Sequence, residues 1–575
     1  MSIGDANRCR RFSSLGAALA TMLFAPSATA ESTPDTGAIF REIQRATPRL
    51  EKPAGPAQPI APPSEAIPLK DGRSFVLTDV RIRSTLFPEA VLREVIADRI
   101  GRETTLGDLD EMMAAIGRYY RNRGYLVRVY LPKQIIRDGI VEIVVLEGRL
   151  GKVMVDPQVP SRLSPDLAAG TVLWQQDGDG YIRLDSIGDG VANLNSLPGV
   201  SAQATIVPGG KVGESDIVLT IRDTPLFQGG VILDNSNARA IGRWRAVALA
   251  GLNDPLGWGD QLSLTAMRSA GAKYARVAVQ APAGYSGLTL GVNASALNFS
   301  TDRDINTTQP GGSATTQGVT AVHPQFRGEN SVFQFNASYD HKRLVNDVSL
   351  ETISENHVNV GGLGVSGSVR DGLLGRSGTT SVGVTASLGR LDLSANEDNQ
   401  SSDESSARTR GIFSKLTANV GRDQPLSEDT SLALTLSGQW ASKNLDSSEK
   451  FSLGGPSGIR AYPVNEASGD RGWLASAELR HSITEDVRGA LFYDGGRIEQ
   501  HARKWNDWQG GGDQLNSYLL HGIGAWVSWT PLQFLTIKGT LAQVVDDNPG
   551  RTTDGYDNDG TRSRTRFWLQ ATVTF

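Results

Sequence analysis

From about Leu226 to the end of the chain, apolar and polar residues alternate one by one in segments of roughly ten residues, separated by clusters of Gly, Asn, Asp and Ser. Leu262, Leu264 and Ala266 alternate with Ser263 and Thr265; Leu288, Leu290, Val292 and Ala294 with Thr289, Gly291 and Asn293. The same period recurs at Val382, Val384, Ala386 and Leu388, and at Leu432, Leu434 and Leu436. One face of each such strand is apolar and the other small or polar. In a soluble sandwich the apolar face would be the core, whereas in an outer-membrane barrel it meets lipid and the polar face lines water. Periodicity alone does not separate the two.

The last segment bears on that choice. Phe567, Leu569, Ala571, Val573 and Phe575 alternate up to a terminal aromatic, which resembles the signal by which barrels are recognised for outer-membrane insertion. At about 20 residues per strand and loop, the region 225–575 predicts a transmembrane β-barrel of about 16 antiparallel strands, an even number as closed bacterial barrels have.

Ahead of it the period changes. Val80 and Ile82 alternate with Asp79, Arg81 and Arg83 as in a half-buried strand. Thr105 is placed to cap a helix whose Leu109, Met112, Met113, Ile116, Tyr119 and Tyr120 form one apolar stripe, a core face and not a cofactor box. Gly124 ends that helix, Leu126 to Tyr130 reads as a strand, Asp138-Gly139 as a turn, and Val141, Ile143 and Val145 as the core face of another strand. A similar order recurs after Gly151: a strand from Lys152 to Val155, helices near Arg162 to Ala168 and Ser186 to Asn195, and strands Val200 to Val207 and Asp216 to Ile221 joined through Pro208-Gly209-Gly210. Two α+β domains of one kind are therefore expected, over residues 71–150 and 151–224. Before them, prolines at 53, 56, 59, 62, 63 and 68 deny residues 48–70 regular hydrogen-bonded structure, which makes them a linker. Within residues 31–47, Ile39, Phe40 and Ile43 sit at helical spacing with Arg41 and Glu42 on the other side, a short amphipathic helix. Such a helix on a tether is a candidate movable element and equally a candidate frayed terminus.

Residues 1–30 read as an export signal: Arg8, Arg10 and Arg11, an apolar run from Leu15 to Phe24, and Ala28-Thr29-Ala30 as cleavage site. The apolar run is well short of the roughly 20 residues of a spanning helix. Export by the general secretory route suits a barrel; the twin-arginine route, which carries folded cargo, does not. The single cysteine, Cys9, lies inside that segment, so no internal disulfide and no cysteine-based metal or redox site is expected after cleavage. A net charge of −5 over 575 residues supplies no basic face, and no nucleic-acid partner is expected. A hydrophobic fraction of 39% is low for a globular chain but natural for a barrel, and ten tryptophans and twelve tyrosines argue against disorder.

Several motifs then carry a resemblance. Gly124-Tyr125, Leu131-Pro132-Lys133-Gln134, Asp138-Gly139 and Val145-Leu146-Glu147-Gly148-Arg149 are similar to the first polypeptide-transport-associated (POTRA) domain of the two-partner secretion transporters, the haemolysin or haemagglutinin secretion/activation proteins. Gly454-Gly455-Pro456-Ser457-Gly458-Ile459-Arg460-Ala461-Tyr462-Pro463, with Glu466 and Gly472-Trp473-Leu474 beyond, resembles that family's long loop, which folds back into the lumen over about 451–472. Its usual partner, a Phe-x-Asp-x-Gly strand motif, is matched by Phe492, Asp494 and Gly496. Ala461 stands where the broader superfamily usually has Gly, which puts a need for positive φ there in doubt. The resemblance covers essentially the whole mature chain and implies a plug-like helix (Ile39, Phe40, Ile43), two POTRA domains and a barrel in the outer membrane, with the N-terminal domains in the periplasm.

Physical chemistry adds a reason for the pairing of those motifs. A guanidinium in a water-filled pore gains most from a wall carboxylate, which it can grip through two parallel hydrogen bonds, so Arg460 on Asp494 would hold the loop at one depth. Taken alone, an Arg and an Asp are more often solvated loop charges.

The resemblance implies export of an unfolded exoprotein, an adhesin, haemolysin or similar, caught by the POTRA domains and passed through the barrel without nucleotide hydrolysis. Periplasmic chaperones, the barrel-assembly machinery and outer-membrane lipid would be the other partners. An insertase for other barrels is the alternative, though such proteins usually carry three to five POTRA domains; a passive porin would leave roughly 150 residues of periplasmic domain without a task. Six scattered histidines and the absence of a His-Glu-x-x-His, Gly-x-Ser-x-Gly or phosphate-loop pattern point to no catalytic residues, no metal and no cofactor.

Overall fold

The computed structural model describes residues 35–50, 74–176, 178–301, 308–328, 330–349, 351–509, 512 and 514–575; the signal peptide expected at 1–30 and most of the linker expected at 48–70 lie outside the described residues. Sixteen antiparallel strands close into a barrel that begins with Phe227–Asp234 and ends with Thr565–Thr574, and these two pair with each other. Strand alternation has the orientation a bilayer demands: Leu264, Leu290, Val292, Leu388 and Leu436 are exposed on the outer surface. The strands Pro310–Gly328, Ser331–Val348 and Glu351–Asp371, of 19, 18 and 21 residues, are much longer than the roughly 9–11 a bilayer crossing requires. Among the described residues no helix is long and apolar enough to cross a membrane.

The inner face departs from the simple polar expectation. Met267, Tyr274, Leu297 and Phe299 are buried on it and form one apolar cluster with Ile39, Phe40 and Ile43 of the helix Thr36–Ala46. An amphipathic helix inside a barrel needs an apolar wall for its stripe, and a period-two reading of single strands cannot show which inward positions are spared for it.

Both small domains repeat one plan. In the first, Asp79–Arg83 runs parallel to Ile140–Glu147, which pairs antiparallel with Val127–Tyr130. Helix Leu106–Arg121 starts on a reciprocal capping box between Thr105 and Asp108 and buries Leu109, Met112, Ile116 and Tyr120 against the sheet; Met113 and Tyr119 lie half-buried at the margin. Asp138 and Gly139 both have positive φ, 54° and 69°, as the tight turn between strands requires. In the second domain, Arg149–Val155 runs parallel to Glu214–Asp223, which pairs antiparallel with Val200–Pro208. Its first helix spans Pro165–Trp174 rather than the predicted 162–168, because Ser164 accepts from the Leu167 N–H as N-cap and Pro165 is tolerated only in the first turn. The domains are joined by backbone bonds from Leu126 N to Ile182 O (3.0 Å), Ile182 N to Gly148 O (2.9 Å) and Leu184 N to Gly124 O (2.6 Å).

Candidate functional site in the barrel lumen

Between the strands Thr430–Ala441 and Arg471–Ser482 the chain makes a long excursion that turns back into the barrel and pairs with itself, Phe451–Ser452 against Ser468–Gly469. Gly454, Gly455 and Gly458 make its tip possible. Gly455 has φ 96°, and a Cβ on Gly454 or Gly458 would collide with the carbonyl of Pro463 or Leu453. Ala461 has no positive φ, so its methyl is accommodated; the other left-handed residues of the loop are Asn465 and Ala467. Ile459 and Tyr462 are buried, and the Tyr462 hydroxyl donates to the His521 carbonyl at 3.3 Å.

The wall opposite is Val487–Glu499. Its two-residue period turns Phe492, Asp494 and Gly496 inward and leaves Leu491 and Tyr493 exposed outside. Arg460 meets that row. Its Nε and Nη2 donate to Asp494 Oδ2 and Oδ1 at 2.9 and 2.7 Å, its backbone N–H donates to Oδ2 at 3.1 Å, and its guanidinium lies 3.4 Å from the Phe492 ring centroid. Three further residues complete the grip. Arg460 Nη1 reaches Glu478 Oε1 at 2.5 Å, Nη2 reaches Ser476 Oγ at 3.1 Å, and Trp568 Nε1 donates to the Arg460 carbonyl at 2.8 Å. Ser476 and Glu478 stand directly across from Asp494 and Phe492 in strand register, a relation that appears only once the pairing of the two strands is known.

The base of the loop has a second hold. Glu449 is buried and receives Lys342 and Lys415 from two separate wall strands, both at 2.6 Å. Beside it lies the N-terminal helix. Asp35 caps it through the Ala38 N–H at 3.1 Å, and Thr36 ties it to the wall through Asn346 Oδ1 at 2.8 Å and the Val345 carbonyl at 2.7 Å. Toward the loop, Arg41 donates to the Ser447 carbonyl at 2.6 Å and to Asn465 Oδ1 at 3.0 Å, and Arg45 to the carbonyls of Ser452, at 2.9 Å, and Ser457. The Ser447 hydroxyl donates to Asp35, and a Cβ on Gly37 would collide with Ser447. Helix and loop therefore occupy the lumen as one bonded unit.

The residues of the C-terminal strand sit at the seam. Phe567 and Phe575 are exposed on the outer surface, Leu569 and Val573 partly so, and Phe575 stacks on Phe227 with centroids 5.7 Å apart.

A closed sixteen-stranded barrel with POTRA-type domains before it and a helix and loop in its lumen defines an outer-membrane protein transporter. The sequence pattern of the haemolysin secretion/activation proteins ShlB/FhaC/HecB matches residues 213–515, and that of the ShlB-type POTRA domain matches residues 75–148. The chain belongs to the ShlB/FhaC/HecB family. It is 28% identical to the heme/hemopexin transporter protein HuxB of Haemophilus influenzae (strain 86-028NP) over 98% of this chain and 99% of that one. It is 25% identical to the outer membrane transporter CdiB of Dickeya dadantii (strain 3937) over 75% and 77% of the two chains. Its fold is similar to that of CdiB from Escherichia coli, with a TM-score of 0.69 at 20% identity, covering 90% of this chain and 94% of that one.

Proposed function

We propose that this transporter receives an unfolded, secreted exoprotein in the periplasm and passes it through the barrel after the helix leaves the lumen, past a loop held at one depth by Arg460 and Asp494. The observation that carries this reading is that the helix is held in the lumen by side-chain hydrogen bonds to the wall and the loop and by a single apolar face, Ile39, Phe40 and Ile43. Such contacts can be exchanged for others as a polypeptide enters. Relatives are named for transport of heme/hemopexin and of haemolysin; a large exoprotein of that broad kind, made to reach the cell surface, is the cargo we assign here. Strand edges of the two POTRA domains would pair with its extended chain by β-augmentation. Periplasmic chaperones would keep that chain open, and the barrel-assembly machinery would place the transporter itself in the outer membrane. The reading needs no chemical step, because folding of the exoprotein outside would draw it forward.

In this scheme Arg460 and Asp494 hold the loop at its working depth, Tyr462 and Ile459 fill the space behind, and Ile39, Phe40 and Ile43 seat the helix as a resting plug. Removing one partner of a buried ion pair costs about 3–5 kcal/mol, enough to loosen the tip of the loop while Glu449 still holds its base. Arg460→Ala should therefore sharply reduce secretion of the cognate exoprotein, while the barrel still reaches the outer membrane and still shows heat-dependent gel mobility. Secretion at the native level would contradict the role given to Arg460.

A further inference from the structure

The second small domain does not hang freely below the barrel. The helix Pro165–Trp174 runs along the periplasmic rim. At its start, the Ser164 N–H donates to the Gly257 carbonyl at 2.8 Å, in the turn after strand Arg245–Asn253. Further along the helix, Gly170 packs against the ring of Tyr285, in the turn joining Ala272–Pro282 to Thr289–Ser300; a Cβ there would collide with that ring. The antiparallel helix Leu184–Ser196 takes the lumen side of the same rim. Its Asp189 carbonyl accepts from Arg327 Nη1 at 3.3 Å, and Arg327 pairs in register with Val332, which is buried on the inner face while Phe335, three residues away, is exposed outside.

With Leu184–Ser196 on the lumen side, Pro165–Trp174 lies on the outer side of the rim. Gly170, Leu173 and Trp174 share one face at i, i+3 and i+4, so the face that touches the foot of the barrel continues directly into two large apolar side chains. Trp174 is 63% exposed and Leu173 45%. Two neighbours on the turn that holds the start of the helix, Leu256 and Trp258, are also exposed, as is Tyr285. A domain of this size has no reason of its own to leave a Leu-Trp pair in water at the end of a helix, and Trp and Tyr favour the headgroup level, where an apolar ring and a polar N–H or O–H are both satisfied. All five exposed residues lie on this helix or on the two barrel turns that it touches.

We propose that Leu173 and Trp174 rest in the periplasmic leaflet of the outer membrane, with Leu256, Trp258 and Tyr285, so that the second POTRA domain is held at a fixed angle to the membrane by phospholipid as well as by the barrel rim. The occupant is the headgroup and upper acyl region of the leaflet. An anchor of this kind would orient the strand edges of both domains beneath the pore.

The test uses full-length protein in phospholipid nanodiscs. Because Cys9 is the sole cysteine and lies in the signal segment, Trp174→Cys and, separately, Leu173→Cys can carry a single environment-sensitive fluorophore. Leu264→Cys on the lipid face serves as the immersed reference, and Val212→Cys, 96% exposed at the far hairpin of the domain, as the aqueous one. Heat-dependent gel mobility checks each barrel. Nitroxide-bearing phospholipid should quench labels at 173 and 174 several-fold more than the label at 212, approaching the value at 264. Quenching at both sites no greater than at 212 would overturn the proposal. So would labels that become shielded only when exoprotein is added, which would assign the same face to cargo.

Discussion

Arg460 uses nearly every donor it has: two on Asp494, one on Glu478, one on Ser476 and its backbone N–H again on Asp494. A lysine keeps the charge but offers a single point instead of a planar fork and cannot cover Phe492 in the same way. Arg460→Lys should therefore secrete close to the alanine level; secretion near the native level would mean that charge alone holds the loop. The arginine, the aspartate and their motifs were legible in the sequence, but Ser476, Glu478 and Trp568 were not, since strand register and barrel closure bring them to the site from otherwise ordinary strands. A second residue-scale case lies in the periplasm. Burial alone would push the Glu147 carboxyl up, but N–H donors from Leu86 and Thr85 and hydroxyls of Thr85 and Tyr120 outweigh it and hold the group below its ordinary value. A carboxylate depressed in the folded state stabilises above its unfolded pKa of about 4.3 and loses that contribution as pH falls through the folded value. Hydrogen exchange of Leu106–Arg121 in the intact protein should be steady from neutral pH down to about pH 4.3 and accelerate below it, after correction for intrinsic rates, and Glu147→Gln should flatten that dependence by removing the titrating group. An unchanged pH profile in the variant would place the acid sensitivity elsewhere.

At the scale of elements, the strongest local signals were the ones that set structure by themselves. Thr105 with Asp108 begins a helix wherever the rest of the chain goes, and Asp138-Gly139 turns a strand because both residues tolerate positive φ. The helix expected near Arg162 to Ala168 instead spans Pro165–Trp174, because Ser164 caps it and Pro165 fits only its first turn. The N-terminal helix was legible as amphipathic, yet its attachment was not: Arg41 and Arg45 end on backbone carbonyls of the lumen loop more than 400 residues away, and carbonyls leave no mark in a side-chain pattern. That attachment makes a prediction about the element as a whole. Deleting Glu31 to Arg45 should raise single-channel conductance in planar bilayers and leave secretion largely intact, because a removable obstruction is lost while the Arg460 anchor remains. Unchanged conductance would mean that the helix does not obstruct the pore.

For the whole molecule, low hydrophobicity and closed architecture are one fact seen twice. Each strand gives lipid only alternate residues, so the chain needs few apolar side chains, while the inner face, apart from the patch that seats the helix, carries Lys342, Lys415 and Asp494, which hold the loop through Glu449 and Arg460. The class of fold could be read from that alternation together with the C-terminal strand; the apolar patch that seats the helix could not, because it is assembled from several strands at one depth. The central claim is that a polypeptide travels through this lumen, and the most direct measurement is photo-crosslinking to an exoprotein stalled during export. A crosslinking residue at Thr385 or Ser387, on the inner face of Gly378–Asp392, should capture the exoprotein, whereas one at Leu388, 64% exposed on the outer face, should not. Exoprotein that reaches the cell surface without adducts at either inner position would contradict passage through the barrel.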